Sequence, residues 1–157
     1  MREFLGKPFG TGLRVAIVVA RFNRSVTESL LDGALAGLRE HGVADQAIDV
    51  LRVPGAFEIT VAAEHCAASG RYAALICLGA VVRGETPHFE FISREVSRGV
   101  NDVACRHRIP VAFGVLTTDT MEQALARAGD GHGNKGYEAA ITALEMAALL
   151  REHARLD

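Results

Sequence analysis

The residues with the most chemistry in this 157-residue chain crowd into one short segment, Arg83-Gly84-Glu85-Thr86-Pro87-His88. It lies between a β-branched apolar run and a stretch with helical periodicity. Backbone N–H groups at the start of a helix favour an anion, and the Thr86 hydroxyl adds a donor. Imidazole is the side chain whose ordinary protonation equilibrium lies nearest neutrality, so His88 is the natural general acid or base. A lone histidine is more often structural, but this location favours the catalytic role. Phe22, between Arg21 and Asn23, could stack on a planar ring or cap a strand end as part of the core. Glu58, after Pro54-Gly55-Ala56-Phe57, could satisfy a helix N-terminus or accept hydrogen bonds from ligand hydroxyls. Arg127 and Lys135 flank a glycine-rich stretch and could bring positive charge to a phosphate. Arg127 could equally be a helix C-terminal charge.

Gly131-His132-Gly133-Asn134-Lys135-Gly136 matches G-x-G-x-x-G letter for letter. A dinucleotide fingerprint must follow a strand and open a βαβ unit. This run follows one helical stretch and precedes another, so it is a weak nucleotide signal. The six histidines show no close pairing with a carboxylate at ligand spacing, and a metal site is not expected. With no G-x-S-x-G elbow, a serine-hydrolase reading has no support.

The elements that must hold these residues follow from periodicity. Strands are predicted at Leu13 to Ala20, Ile48 to Val53, Ala73 to Val82 and Val111 to Leu116, all short and apolar as in a sheet buried on both faces. Helices are predicted at Val26 to His41, Glu58 to Ala68, His88 to Arg106, Thr120 to Ala128 and Tyr137 to His153. Thr118 or Asp119 is the expected cap of the fourth helix. In the last helix Ile141, Leu144, Ala148 and Leu149 are expected to face inward. Strands alternating with helices imply one three-layer αβα domain with a parallel sheet. Ligands in such folds bind beyond the C-terminal ends of the strands. That rule selects Arg21 to Asn23, Pro54 to Glu58, Arg83 to His88 and Phe113 to Thr118.

Composition narrows the function classes. Net charge is −2 and no basic stripe is visible, which argues against nucleic-acid binding. Arg106-His107-Arg108 reads as a helix end. Three cysteines, Cys66, Cys77 and Cys105, give no disulfide framework and suit a reducing compartment. No apolar run reaches the length of about 20 residues that a membrane span needs. Residues 1 to 12 lack the apolar stretch of a signal peptide. A cytoplasmic, membrane-free protein is expected.

Arg21-Phe22-Asn23, Pro54-Gly55-Ala56-Phe57-Glu58, Gly79-Ala80-Val81-Val82-Arg83-Gly84-Glu85-Thr86-Pro87-His88-Phe89-Glu90 and Gly133-Asn134-Lys135-Gly136 together resemble the lumazine synthase family, in its order and spacing across nearly the whole chain. The resemblance implies a flavodoxin-like domain over residues 1–157, with residues 1–12 as an arm and 13–157 as the α/β core. It implies condensation of 5-amino-6-(D-ribitylamino)uracil with 3,4-dihydroxy-2-butanone 4-phosphate to 6,7-dimethyl-8-ribityllumazine and phosphate, without metal or organic cofactor. Phe22 would stack on the pyrimidine. Ala56, Phe57 and Glu58 would hold the ribityl-bearing substrate, and Ala80, Val81 and Val82 would line the heterocycle pocket. Glu85 and Thr86 would bind the phosphorylated ketone, Arg127 its phosphate, and His88 would move protons. Phe113, Arg127 and Lys135 would come from a neighbouring subunit of a pentamer. Phe4 to Phe9 would add an edge strand to that neighbour, with Pro8 limiting the pairing. Larger members close into sixty-subunit icosahedral capsids, the assembly favoured here because the Gly129 to Gly136 loop carries no insertion, and riboflavin synthase is the candidate cargo.

Three other readings stand beside this one. An archaeal-type riboflavin synthase shares the fold but needs no phosphate site, against Arg127, Lys135 and Thr86. A non-catalytic flavin- or lumazine-binding shell protein could dispense with His88. A flavodoxin-like or receiver module should end its first strand in a phosphate-binding hydroxyl loop or an acidic cluster, where this chain has Arg21-Phe22-Asn23.

Overall fold

The first strand, β1 (Val15–Ala20), has the sequence VAIVVA, and all six residues are buried. Alternation along the strand divides them between two cores. Val15, Ile17 and Val19 join Leu30, Leu38 and Leu144 on one face of the sheet. Ala16, Val18 and Ala20 join Ile59, Val96 and Val100 on the other. A strand covered on both faces has no polar side to present, which is why it reads as a continuous apolar run.

The computed structural model describes residues 1–156. Its four strands are β1, β2 (Ile48–Val53), β3 (Ala74–Val82) and β4 (Val111–Thr118). They form one parallel sheet in the order β2-β1-β3-β4. Helices α1 (Arg24–Glu40), α4 (Met121–Arg127) and α5 (Lys135–Ala154) cover one face; α2 (Ile59–Ala68) and α3 (His88–His107) cover the other. This is the expected flavodoxin-like αβα domain. The chain runs outward from β1 to β2, then crosses back to β3, so the switch point lies between β1 and β3.

The differences from the sequence expectation lie at element ends. A 3₁₀ turn at Ala56–Glu58 precedes α2, which begins at Ile59. β4 runs on to Thr118, and the cap of α4 is Thr120, not Thr118 or Asp119. The Thr120 hydroxyl accepts from Gln123 N, while the Thr118 hydroxyl donates to Thr120 O. Gln123 returns the favour to the backbone N–H groups of Asp119 and Thr120, completing a capping box. In α5 the buried stripe is Gly136, Tyr137, Ala139, Ala140, Ala143, Leu144 and Ala147, so of the four residues expected inward Leu144 is there. Ile141, Ala148 and Leu149 are only half-buried. Small residues face inward because α1 and α5 pack closely: a Cβ on Gly37 would stand 3.1 Å from that of Ala140.

Phe4 to Phe9 form no strand within the single chain. Buried Gly6 instead packs on the backbone of α5 at Glu145 and Leu149, and the Phe4 ring meets His153 edge-on. At the outer edge of the sheet, Asp49 accepts from the Tyr72 hydroxyl at 2.7 Å and from Arg14 at 3.0 Å. The Tyr72 hydrogen bond and then Arg14 hold the Asp49 carboxyl below its ordinary range. No helix among the described residues is long and apolar enough to cross a membrane.

The thiols divide by burial. Cys77 lies inside β3, where burial pushes its thiol up to about 12, and burial raises Cys66 as well. Cys105 is exposed on α3. Because the thiolate is the nucleophile, a thiol reagent is expected to titrate Cys105 alone in the native protein and all three cysteines after denaturation. Native labelling of Cys77, mapped by peptide mass, would contradict this packing.

Candidate active site

The C-terminal ends of β1, β2 and β3 converge on one cavity of about 580 Å³. β1 contributes Phe22 and Asn23. The turn after β2 contributes Ala56, Phe57 and Glu58. β3 contributes Ala80, Val81 and Val82, and the loop into α3 contributes Gly84, Thr86 and His88. Three of the four segments selected by the strand-end rule thus meet in one place. Glu85 lies on the exposed stretch of the same loop and does not wall the cavity.

None of the seven phenylalanines is buried in the core. Phe22 is 71% exposed and Phe57 60% exposed. Phe22 therefore does not cap the strand as core, and its ring stands free at the cavity. The core is built mainly from aliphatic residues, with Tyr72 and Tyr137 its only buried aromatic rings among the described residues. Aromatic rings left at a cavity rim are surfaces for a planar ligand or a partner chain.

Glu58 makes the helix-start contact anticipated for it: one carboxylate oxygen accepts from Gly55 N at 3.0 Å. It also lines the cavity. The two readings of Glu58 are therefore compatible, since a carboxylate has two oxygens and about four lone-pair sites. His88 is the first residue of α3 and is exposed, its side chain making no hydrogen bond or ion pair among the described residues. Nothing in the fold occupies the imidazole.

Phe113, Arg127 and Lys135 lie elsewhere. They line a second cavity of about 340 Å³ along β4. No residue lines both cavities. β4 is an edge strand, and Phe113 points out at 45% exposure. Arg127 ends α4 and donates to Gln123 O at 3.0 Å, consistent with its helix-end reading, yet it also lines the second cavity. Lys135 opens α5 and pairs with Glu138 at 2.6 Å.

The glycine-rich run between them is a helix cap, which agrees with discounting it as a nucleotide loop. Buried Asn134 accepts from Gly136 N and Tyr137 N, and its amide donates to Ser29 O and Gly129 O. Gly131 takes a positive φ of 82° and Gly136 packs against α1.

Sequence reasoning gave no individual role to three residues that shape the site, although Asn23 and Arg83 fall in the segments it selected. Asn23 lines the first cavity and donates its side-chain amide to Ala80 O at 2.8 Å. Ile92, one turn into α3, also lines it; it was visible only as one of an apolar stripe. Arg83 lies over the Phe89 ring at 4.5 Å and donates to Asp119 at 2.8 Å. That links the His88 loop to the loop before α4. Such long-range partners leave no local sequence signal.

The sequence model of the 6,7-dimethyl-8-ribityllumazine synthase family matches residues 12–151 of the 157. The matched span takes in both cavities and every strand. By that match the chain belongs to the 6,7-dimethyl-8-ribityllumazine synthase family, the transferases that supply lumazine synthase activity in riboflavin biosynthesis.

Proposed function

We propose that this chain condenses 5-amino-6-(D-ribitylamino)uracil with 3,4-dihydroxy-2-butanone 4-phosphate to give 6,7-dimethyl-8-ribityllumazine and inorganic phosphate. The observation that carries the reading is the division of complementary features between two cavities of one chain. The first has free aromatic rings, a carboxylate and an unengaged imidazole. The second has an aromatic ring and two cations at an edge strand. A neighbouring copy that sets its β4 edge against the first cavity unites the pyrimidine and phosphate halves. The proposed unit is the pentamer, with the sixty-subunit shell as its larger assembly and riboflavin synthase as cargo, in the cytoplasm. The residue 4–9 arm would reach the neighbour in that assembly.

The chemistry balances without a redox step. The 5-amino nitrogen adds to the ketone carbon, and water leaves as the C=N bond forms. Loss of a proton from the adjacent carbon then expels phosphate as its C–O bond breaks. After tautomerisation the ribityl-bearing nitrogen closes on the new carbonyl, and a second water leaves. Phe22 would stack on the planar ring, Ala56, Phe57 and Glu58 would hold the ribityl-bearing substrate with Glu58 on its hydroxyls, and Ala80 to Val82 would wall the heterocycle. Thr86, beside Glu85 at the start of α3, and Arg127 with Lys135 of the neighbour would hold the phosphate. Holding both reactants together supplies a large part of the acceleration. His88 would carry the protons.

His88→Ala is expected to lower kcat by about 10²-fold, the lower end for a general acid–base, because an exposed site admits water as a substitute relay. Affinity for the uracil substrate should be retained. An unchanged kcat would remove His88 from the mechanism. The whole reading is tested by supplying both substrates and following lumazine fluorescence and free phosphate together. Stoichiometric appearance of both supports it. Riboflavin made from lumazine alone would replace it with a dismutating synthase, and binding without product with a non-catalytic shell protein.

A further inference from the structure

Two non-glycine residues among those described have positive φ: Asn23 at 58° and Arg108 at 52°. Arg108 closes α3, where a left-handed residue is ordinary. Asn23 stands at the start of α1, with ψ 50°, where capping residues are normally extended. Its side chain makes no cap hydrogen bond to the helix. Asparagine tolerates the left-handed region better than most residues, but a conformation of this kind persists only where its surroundings impose it.

The surroundings supply a reason. The β1–β2 ladder continues past Ala20 through Arg21 N to Val53 O at 2.8 Å and Phe22 N to Pro54 O at 3.1 Å. The β1–β3 ladder stops at Val19 and Leu78. Beyond that point the Asn23 amide takes the Ala80 carbonyl at 2.8 Å, spanning 57 residues of sequence. It replaces the missing ladder bond and turns the backbone left-handed to reach it. Phe22, whose ring is largely exposed, thus sits between its own backbone bond to Pro54 and the side-chain bond of the next residue, Asn23, to Ala80.

We propose that Asn23 is a positioning residue: by fastening β1 to Ala80 it sets the Phe22 ring against the β3 wall of the cavity. The inference rests on the reading of that cavity as the site of the pyrimidine. Asn23 acts through Phe22 and Ala80, not on the reacting atoms. Its role is to hold the slot between ring and wall at one width.

Two variants test this. Asn23→Gly keeps the left-handed backbone and deletes the amide. Asn23→Asp keeps the shape but sets a carboxylate oxygen against the Ala80 carbonyl. Each is expected to weaken binding of 6,7-dimethyl-8-ribityllumazine, read by its own fluorescence, by about tenfold, the value of one lost hydrogen bond at 1.4 kcal/mol per decade. In a Phe22→Ala background the same substitutions should add no further loss. Hydrogen exchange of the unliganded protein should quicken at residues 21–26 and 79–83 in Asn23→Gly. Losses that multiply with Phe22→Ala would overturn the proposal, since Asn23 would then act independently of the ring. Unchanged exchange in both segments would overturn it as well. If the wild-type protein binds no ribityllumazine, the reading of the cavity fails, and the exchange measurement still decides whether Asn23 holds the Phe22 backbone.

Discussion

Arg127→Ala is expected to lower kcat/KM for the phosphorylated ketone by about 10²–10³-fold, the loss typical of removing one donor to a developing anion. In the proposed reaction the phosphate is both the handle by which this substrate binds and the group that departs. A guanidinium that meets it is therefore engaged in the ground state and more strongly as charge builds on the leaving oxygen. Arg127 stands at the end of α4 and lines the second cavity with Lys135. Among the described residues its one side-chain hydrogen bond is to the carbonyl one turn earlier, so the substitution should disturb the fold little. KM for the ketone should rise while affinity for the uracil is kept. An unchanged KM for the ketone would refute the assignment. Because Arg127 and His88 line different cavities, the same variant also tests the composite site. Chains carrying Arg127→Ala co-assembled with chains carrying His88→Ala should exceed the summed activity of the two parents, since some interfaces would pair the intact halves. Activity equal to that sum would place both halves of the site within one chain.

Gly136→Ala should be among the most destabilising single-methyl additions in the molecule, by about 3 kcal/mol or more. A Cβ there would land on the Leu30 carbonyl oxygen, with Leu30 C at 2.7 Å and Leu30 Cα at 2.9 Å. All three are backbone atoms of α1, so no rotamer change relieves the overlap. The helices must separate, and the buried stripe of alanines on α5 loses its contacts with α1. Gly133→Ala is the matched control, because nothing lies within 4 Å of the added methyl. For a chain of this length the loss corresponds to a fall in Tm of about 6–12 °C, measured by calorimetry alongside Gly133→Ala. Equal melting temperatures for the two variants would contradict the close packing of α1 on α5.

The three glycines of that run show where sequence reading ended. Its letters match a nucleotide fingerprint, and position in the chain was enough to set that reading aside. The actual duties differ residue by residue: a left-handed turn at Gly131, open space at Gly133 and helix contact at Gly136. None of these can be read from a spacing. The stripe of α5 was misjudged for a related reason. Periodicity marks Ile141 and Leu149 as inward along with Leu144 because they are the larger apolar residues, but apart from Tyr137 and Leu144 the buried side of α5 carries only alanines and Gly136.

The alternation of apolar runs with helical stretches determined the αβα class by itself, because a period of two or 3.6 residues is a local property of the chain. The strand-end rule and the unusual residues after β1, β2 and β3 were likewise enough to name the loops that wall the first cavity, though not Phe89 and Ile92 of α3. Tertiary structure alone decided that Phe22 stands free of the core, that Asn23 reaches Ala80, and that Phe113, Arg127 and Lys135 form a cavity separate from His88. Each of these depends on strand order and on which edge of the sheet stays open. Those are set by contacts between residues far apart in sequence, for which no local pattern is required.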